Sequence, residues 1–465
     1  MRDWSPQQLA AAAGATLVAT GPEHLLPALS PRLPGSSSGR TAAPAAGPLR
    51  ATVDSREAGP GDLFVGLPGE RVDGGRFAAA ALAQGAWGVL VAETHASALA
   101  GTEASALAGT DASALAGGVV IGARDPLAAL HALATAWRRA LGAQVIAITG
   151  STGKTSTKDV LAAMLRPQRR TVATRENRNT EIGLPLTVLE APPGTEVLVL
   201  ELAMRGAGQI AELTRIAEPD VGVIVNVGPV HVELLGSVAA VAAAKAELIG
   251  GMAPGATVVL PADEPLLAPF VRDDLQTVRF GAGGDVTQAD LAGLELPFAS
   301  AHMCLNATAA LAAARAIGVE PTGAVDVRLS AMRGQVHRTT TGITVVDDCY
   351  NANPMSMRAA LEDLQRSAPG RRVAVLGDML ELGPDSAAHH AAVGRHARAA
   401  GVELLVAVGP QAIGLNADHP VADAAAAAAL VPPLLQAGDT VLVKGSRGIG
   451  LEAVVAALID RADAA

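Results

Sequence analysis

Short, uninterrupted apolar runs recur along the chain from about residue 145 onward, separated by stretches with helical spacing. Residues 145–148, 197–200, 221–227 and 257–260 form one series, and 343–346, 373–376, 404–408 and 440–443 form a second. Runs of β-branched residues and leucine without polar alternation predict strands covered on both faces, as in parallel sheets. Alternation of such strands with helices predicts two doubly wound α/β blocks that take ligands at the carboxyl ends of their strands. Residues 158–165 carry the helical pattern that follows the first run.

The first part of the chain reads differently. Val53-Asp54-Ser55-Arg56, Gly61-Asp62-Leu63-Phe64-Val65-Gly66-Leu67 and Gly85-Ala86-Trp87-Gly88-Val89-Leu90-Val91 predict short strands joined by turns. Residues 31–48 are rich in Pro, Gly and Ser and read as a mobile loop. An eight-residue unit recurs nearly three times within 96–117, far below the period of a solenoid. It reads as a surface loop or frayed helix. Three domains are therefore expected: residues 1–122, 123–322 and 323–465, forming a small α/β N-terminal domain, a central P-loop-type parallel sheet and a Rossmann-like C-terminal domain.

Composition narrows the function classes. The length of 465 residues exceeds one core. Half the residues are hydrophobic, but alanine supplies much of that, and no apolar run reaches the roughly 18 residues that insertion into a membrane requires. The start, Met1-Arg2-Asp3-Trp4-Ser5-Pro6, lacks the basic-then-apolar order of a signal peptide, so a cytoplasmic location is expected. A net charge of −10 argues against a nucleic-acid partner. Cys304 and Cys349 stand far apart and in no C-x-x-C pair, which argues against a disulfide scaffold or a zinc site.

The chemistry concentrates at strand ends. Residues 145–149 lead into Gly150-Ser151-Thr152-Gly153-Lys154-Thr155-Ser156, a strand, a Gly-rich turn and a helix. Such a turn aims backbone N–H groups and a helix N-terminus at an anion. Lys154 can neutralise phosphate, and the Thr155 hydroxyl can hold Mg²⁺. Ile148 replaces the first glycine of the longer P-loop pattern, leaving the short G-x-x-G-K-T form. The second run ends in Glu201, where a carboxylate can ligate Mg²⁺ or simply cap a solvated turn. The third delivers His231, for which capping or core packing is at least as good a reading as metal binding, since Mg²⁺ prefers oxygen. Lys245 lies in an Ala-rich helical stretch. It is either a solvated side chain or, if desolvated, a neutral amine able to take up CO₂ as a carbamate.

Further groups are less specific. The polar connector 174–185, with Asn179 and Thr180, is shaped like a substrate loop or an ordinary connection. Asp347-Asp348-Cys349-Tyr350-Asn351-Ala352-Asn353-Pro354 suits ribose or phosphate oxygens, or an Asx-type turn. Lys444-Gly445-Ser446-Arg447-Gly448 is a basic loop suited to a carboxylate or phosphate.

Taken in order, these strings resemble the Mur ligases, ATP-dependent amide-forming enzymes of peptidoglycan synthesis. The resemblance spans nearly the whole chain, from Asp54-Ser55-Arg56 through the phosphate loop, residues 179–183, Glu201, His231, Lys245, 347–354 and 376–383 to 444–447. It implies ATP on Lys154 and the Gly150–Thr155 backbone, with Asn306 on the adenine side and Arg333 and Asp348 reaching the phosphates and ribose. It implies two Mg²⁺ ions, one on Thr155 and Glu201, the other on Glu201, His231 and a carbamylated Lys245. Asp54, Ser55 and Arg56 would lie on the uridine side of a sugar nucleotide. Gly377-Asp378-Met379-Leu380-Glu381-Leu382-Gly383 stands where single-amino-acid-adding members carry D-N-P-R. This favours members that join D-Ala-D-Ala to UDP-MurNAc-tripeptide, acting as a monomer. Two positions depart from the family pattern: Met303 for an asparagine and Gln335 for a glutamate. The alternatives are a sister ligase adding one amino acid, of the UDP-MurNAc-dipeptide or folylpolyglutamate type, and a non-catalytic nucleotide-binding module.

Overall fold

The computed structural model describes residues 1–20, 47–100 and 118–463. The Pro-rich stretch up to residue 46 and the repeat beyond residue 100 lie outside the described residues. The fold is α/β, as expected, and built on three large sheets.

The first sheet holds β1 (Thr16–Ala19), β2 (Arg50–Thr52), β3 (Asp62–Val65), β4 (Gly88–Ala92) and β5 (Val119–Ala123), in the order β1-β5-β4-β3-β2. Its strands run parallel except β1, which is antiparallel to β5. Phe64, Val89, Val91 and Val120 form its core with Ala78 and Ala81.

The second sheet comprises β6 (Gln144–Thr149), β7 (Thr171–Ala173), β8 (Val197–Glu201), β9 (Val221–Ile224), β10 (Thr257–Pro261) and β11 (Gln276–Phe280), ordered β11-β10-β9-β6-β8-β7. From β6 the chain passes to the edge strand β7 and returns to place β8 beside β6. It then crosses to build β9, β10 and β11 outward on the other side, so β6 stands where the strand order reverses. Ligands gather at such a point in open α/β sheets. Val145, Ile146, Ala147 and Ile148 are all fully buried, which requires cover on both faces and explains the unbroken apolar run. Two edge pieces, β12 (Leu294–Glu295) and β13 (Gly323–Ala324), pair separately.

The third sheet holds β14 (Gln335–Arg338), β15 (Thr344–Asp347), β16 (Arg372–Gly377), β17 (Leu404–Val408), β18 (His419–Val421) and β19 (Thr440–Lys444), ordered β14-β15-β19-β16-β17-β18. Only β14 runs antiparallel to its neighbour. Ala374 and Leu376 pack into a cluster on one face and Val373 and Val375 into a second on the other.

Two elements differ from the sequence reading. The run expected to stay extended through 227 leaves the ladder after Ile224, because Asn226 is used to shape the phosphate loop. The helix after that loop, α1 (Lys154–Leu165), begins at Lys154 rather than 158, so the Lys-Thr pair sits in its first turn. Three further helices position the site: α2 (Val238–Gly251), α3 (Ala301–Ala316) and α4 (Pro354–Ser367).

The chain divides into two compact units. One comprises Met1–Gln144, Arg170–Leu198 and Arg215–Glu218; the other comprises Val145–Arg169, Val199–Thr214 and Pro219–Ala465. Among the described residues no helix is long and apolar enough to cross a membrane.

Candidate functional site

The Gly150–Thr155 loop, the candidate phosphate loop, is shaped by its neighbours. Asn226 Oδ1 accepts from the N–H groups of Ser151 (3.1 Å) and Thr152 (2.9 Å), and its amide donates to Thr152 Oγ1 (2.9 Å). Ser151 Oγ exchanges hydrogen bonds with the backbone of Gly228. Gly153 adopts φ +76° at the N-cap of α1, a left-handed conformation that favours glycine. A Cβ there would lie 2.5 Å from Asn306 Oδ1. The packing of α3 against α1 brings Asn306 to this point, 6% exposed.

Lys154 donates to the carbonyl of Gly150 (2.8 Å). Burial pushes its pKa below the ordinary lysine value and Arg333 adds to the lowering, while Glu201 opposes both. Thr155 Oγ1 donates to Glu201 Oε2 at 2.9 Å, and both side chains are buried. A hydroxyl and a carboxylate at a phosphate loop fit Mg²⁺, a hard cation that takes one or two protein oxygens beside substrate phosphates and water. No cluster of three or more His, Cys, Asp or Glu side chains arranged for a metal occurs among the described residues.

Lys245, on α2, is only 2% exposed, so the solvated alternative does not describe it. Burial, with Lys154 second, holds its pKa well below the lysine value. His231 sits at φ +55°, and its Nδ1 pairs with Glu381 Oε2. Burial also lowers the pKa of His231; Glu381 opposes this, while the positive charges of Lys154 and Lys245 reinforce it. The charge of Lys154 thus acts on both Lys245 and His231. As an amine, Lys245 offers Mg²⁺ no oxygen; as a carbamate it would supply a carboxylate.

The phosphate loop from Ser151 to Ser156 opens into a cavity of about 1030 Å³. Glu201, Asn226, His302 and Asn306 line it from the second sheet's side, and Arg333, Asp348, Tyr350, Asn351, Asn353 and Lys444 from the third sheet's side. The guanidinium of Arg333 lies 4.1 Å from the centre of the Tyr350 ring, a cation–π stack that steadies a long side chain. Asp348 is paired with Lys444 Nζ at 2.6 Å, and Lys444 also donates to the carbonyl of Asn351 (3.0 Å). Lys444 thus anchors the Asp348 loop across the neighbouring ends of β15 and β19. Asn353 caps α4 through Ser356, so the Asx-type alternative describes its side chain. Arg447 pairs with Glu452 (3.4 Å) and does not line the cavity.

Asp54, Ser55, Arg56, Asn179 and Thr180 belong to the other compact unit. There Arg56 pairs with Asp54 (2.5 Å) and draws its pKa down to about 2. The Thr180 hydroxyl accepts from Gly183 N at 3.5 Å.

Three residues at the site escaped sequence reasoning. Asn226 was hidden inside an apparent strand. His302 lines the cavity with a buried, unpartnered Nδ1, and only its place beside the adenine-side motif hinted at it. Glu381 lay within a recognised string but had no assigned task.

A glycine-turned loop opening a helix, a buried hydroxyl–carboxylate pair and a cavity flanked by two α/β sheets define a nucleotide-using α/β protein. Comparison with known proteins sharpens this class. Three family models match successive segments: "Mur ligase family, catalytic domain" over residues 51–138, "Mur ligase middle domain" over 148–314 and "Mur ligase, glutamate ligase domain" over 332–447. The chain belongs to the Mur ligase family. It is 39% identical to the UDP-N-acetylmuramoyl-tripeptide–D-alanyl-D-alanine ligase of Mycobacterium tuberculosis strain H37Rv, covering 87% of this chain and 91% of that one. The Bacillus subtilis enzyme of the same name is 34% identical, with 88% and 92% covered. Among solved structures, MurF from Acinetobacter baumannii aligns with a TM-score of 0.78 at 29% identity, covering 98% and 99% of the two chains. MurF from Thermotoga maritima, solved with ADP, aligns with a TM-score of 0.75 at 28% identity, covering 89% and 98%.

Proposed function

We infer that this chain is an ATP-dependent amide ligase that joins D-Ala-D-Ala to UDP-MurNAc-tripeptide during cytoplasmic assembly of peptidoglycan precursors. Near-full-length likeness to relatives bearing that name supports this reading over a single-amino-acid ligase. The observation that supports the chemistry is that Lys154, Thr155, Glu201, Arg333 and Asp348 line one cavity.

The assigned reaction has two stages. A carboxylate oxygen of the tripeptide attacks the γ-phosphorus of ATP, the bond to the β,γ-bridging oxygen breaks, and ADP leaves an acyl phosphate. The amine of the dipeptide then attacks the acyl carbon, loses a proton, and expels inorganic phosphate as the amide forms. Negative charge from two phosphate-bearing partners and a carboxylate must be gathered in one place, and the protein's fixed cations offset it. Lys154 and the loop amides bind the phosphates, and Arg333, braced on Tyr350, contributes a second positive charge. Asn306 recognises the adenine side, and Asp348, oriented by Lys444, binds the ribose. Thr155 and Glu201 would hold one Mg²⁺, and Glu201 with His231 would hold a second if Lys245 were carbamylated to supply a further oxygen ligand. Bound there, the ions neutralise phosphate charge and polarise the transferred group.

The sugar-nucleotide end is assigned to residues 1–122 through Asp54, Ser55 and Arg56, with Asn179 and Thr180 completing the substrate loop. ATP chemistry falls to residues 123–322 and the dipeptide to 323–465, where Asn351 and Arg447 contribute. The enzyme works as a monomer. Phosphate release measured with each substrate omitted in turn tests the reading: release should require ATP, UDP-MurNAc-tripeptide and D-Ala-D-Ala together. Equal release with single amino acids, or release without the dipeptide, would refute it.

A further inference from the structure

We propose that Glu381 is a positioning residue for the ligation centre, fixing His231 from the loop of the neighbouring sheet. His231 follows β9 of the nucleotide sheet, whereas Glu381 follows β16 of the third sheet. With the Glu381 carboxylate on Nδ1, the ring presents only Nε2 to anything else, which sets both the tautomer and the plane of the imidazole. An imidazole whose second nitrogen binds a carboxylate is the usual arrangement where histidine serves a metal or a reacting group.

The contact is built rather than incidental. His231 and Glu381 both adopt left-handed backbone conformations, at φ +55° and +62°, which non-glycine residues rarely take without a reason. The backbones also meet, Glu233 N donating to Glu381 O at 3.4 Å. Gly383, at φ +69°, lets the loop turn back beside Glu233. Arg205 Nε stands 3.9 Å from the other Glu381 oxygen, so the carboxylate is held from two sides. Met379 and Leu382 are buried in the core of the third sheet, and Ser446 Oγ accepts from Leu380 N, so the loop is pinned at both ends. His231 is therefore set only while the loop after β16 is in place, which ties the arrangement of the centre to the third sheet.

This inference rests on the ligase reading for its activity arm alone. E381A and E381Q would be compared with the parent by steady-state kinetics, thermal unfolding and Mn²⁺ binding followed by electron paramagnetic resonance with a non-hydrolysable ATP analogue. Glutamine keeps an oxygen acceptor for Nδ1–H. E381A should lose about 10–100-fold in kcat and in the affinity of the weaker Mn²⁺ site, with KM for ATP and the thermal midpoint little changed. E381Q should recover most of both losses. A kcat and Mn²⁺ affinity within twofold of the parent in E381A would overturn the proposal. So would equal losses in both variants accompanied by a lower thermal midpoint. If the parent itself shows no ligation, the ligase reading fails, and the Mn²⁺ arm still decides the role of Glu381.

Discussion

Replacing Gly153 by alanine tests whether the phosphate loop works through its backbone shape. At φ +76° an L-residue incurs roughly 1–2 kcal/mol of backbone strain. The added Cβ would stand 2.5, 3.0 and 3.1 Å from Oδ1, Cγ and Nδ2 of Asn306. The whole amide must then retreat by roughly 1 Å to regain van der Waals separation. Strain acts on the free protein and lowers its stability by about 1–2 kcal/mol. Displacement acts on the nucleotide, and an error of that size at a positioning residue costs up to ~10²-fold. G153A should therefore unfold at a lower temperature and show a KM for ATP raised by about 10–100-fold. N306A should reproduce the KM effect without the backbone strain. Gly250 is the control, since an added Cβ on this exposed helical residue meets nothing within 4 Å. G250A should leave kinetics unchanged and raise stability by up to about 1 kcal/mol. If G153A matched the parent in both KM and thermal midpoint, the assignment of the loop and of Asn306 would be wrong.

Lys154→Ala should lower turnover by ~10²–10³-fold or more, measured as dipeptide-dependent phosphate release, because a charge facing the transferred group is lost. Thr155→Val removes the hydroxyl that donates to Glu201, and the Mg²⁺ concentration for half-maximal rate should rise at least ~10-fold in a metal titration. His390 is fully buried, donating to Ser386 O and accepting from Met379 N, and burial lowers its pKa below the ordinary value near 6.5. The folded protein therefore resists a proton that the unfolded chain accepts. The stabilisation is complete above about pH 6.5 and is lost as the pH falls through the lower folded value. Urea unfolding at pH 7.5 and 5 should show this loss, and H390Q should reduce its size. Incubation with ¹³C-bicarbonate should give a carbamate resonance that Lys245→Met abolishes; no difference between the two spectra would exclude the modification.

The fold was legible because buried parallel strands write themselves as unbroken apolar runs, and residues 145–148 and 404–408 could hardly be read otherwise. The strand–turn–helix at residues 144–165 was legible because its glycines, Lys154 and Thr155 are contiguous. What stayed hidden depends on distant partners. Asn226 looked like the sixth residue of a strand, and only the folded chain shows it turning aside to hold Ser151 and Thr152. Lys245 was ambiguous because an alanine-rich helix carries no clear apolar stripe, so burial could not be inferred from spacing. Lys444 looked like a ligand for substrate, whereas its closest partner is Asp348, 96 positions earlier in the chain. Glu381 had no visible task because its partner sits on another sheet.

A crystal structure with a non-hydrolysable ATP analogue and Mn²⁺ tests the central claim most directly. It should place the β- and γ-phosphates on the N–H groups of residues 151–155 beside Lys154, with an anomalous peak between Thr155 and Glu201. Nucleotide bound elsewhere, or Mn²⁺ remote from Glu201, would contradict it.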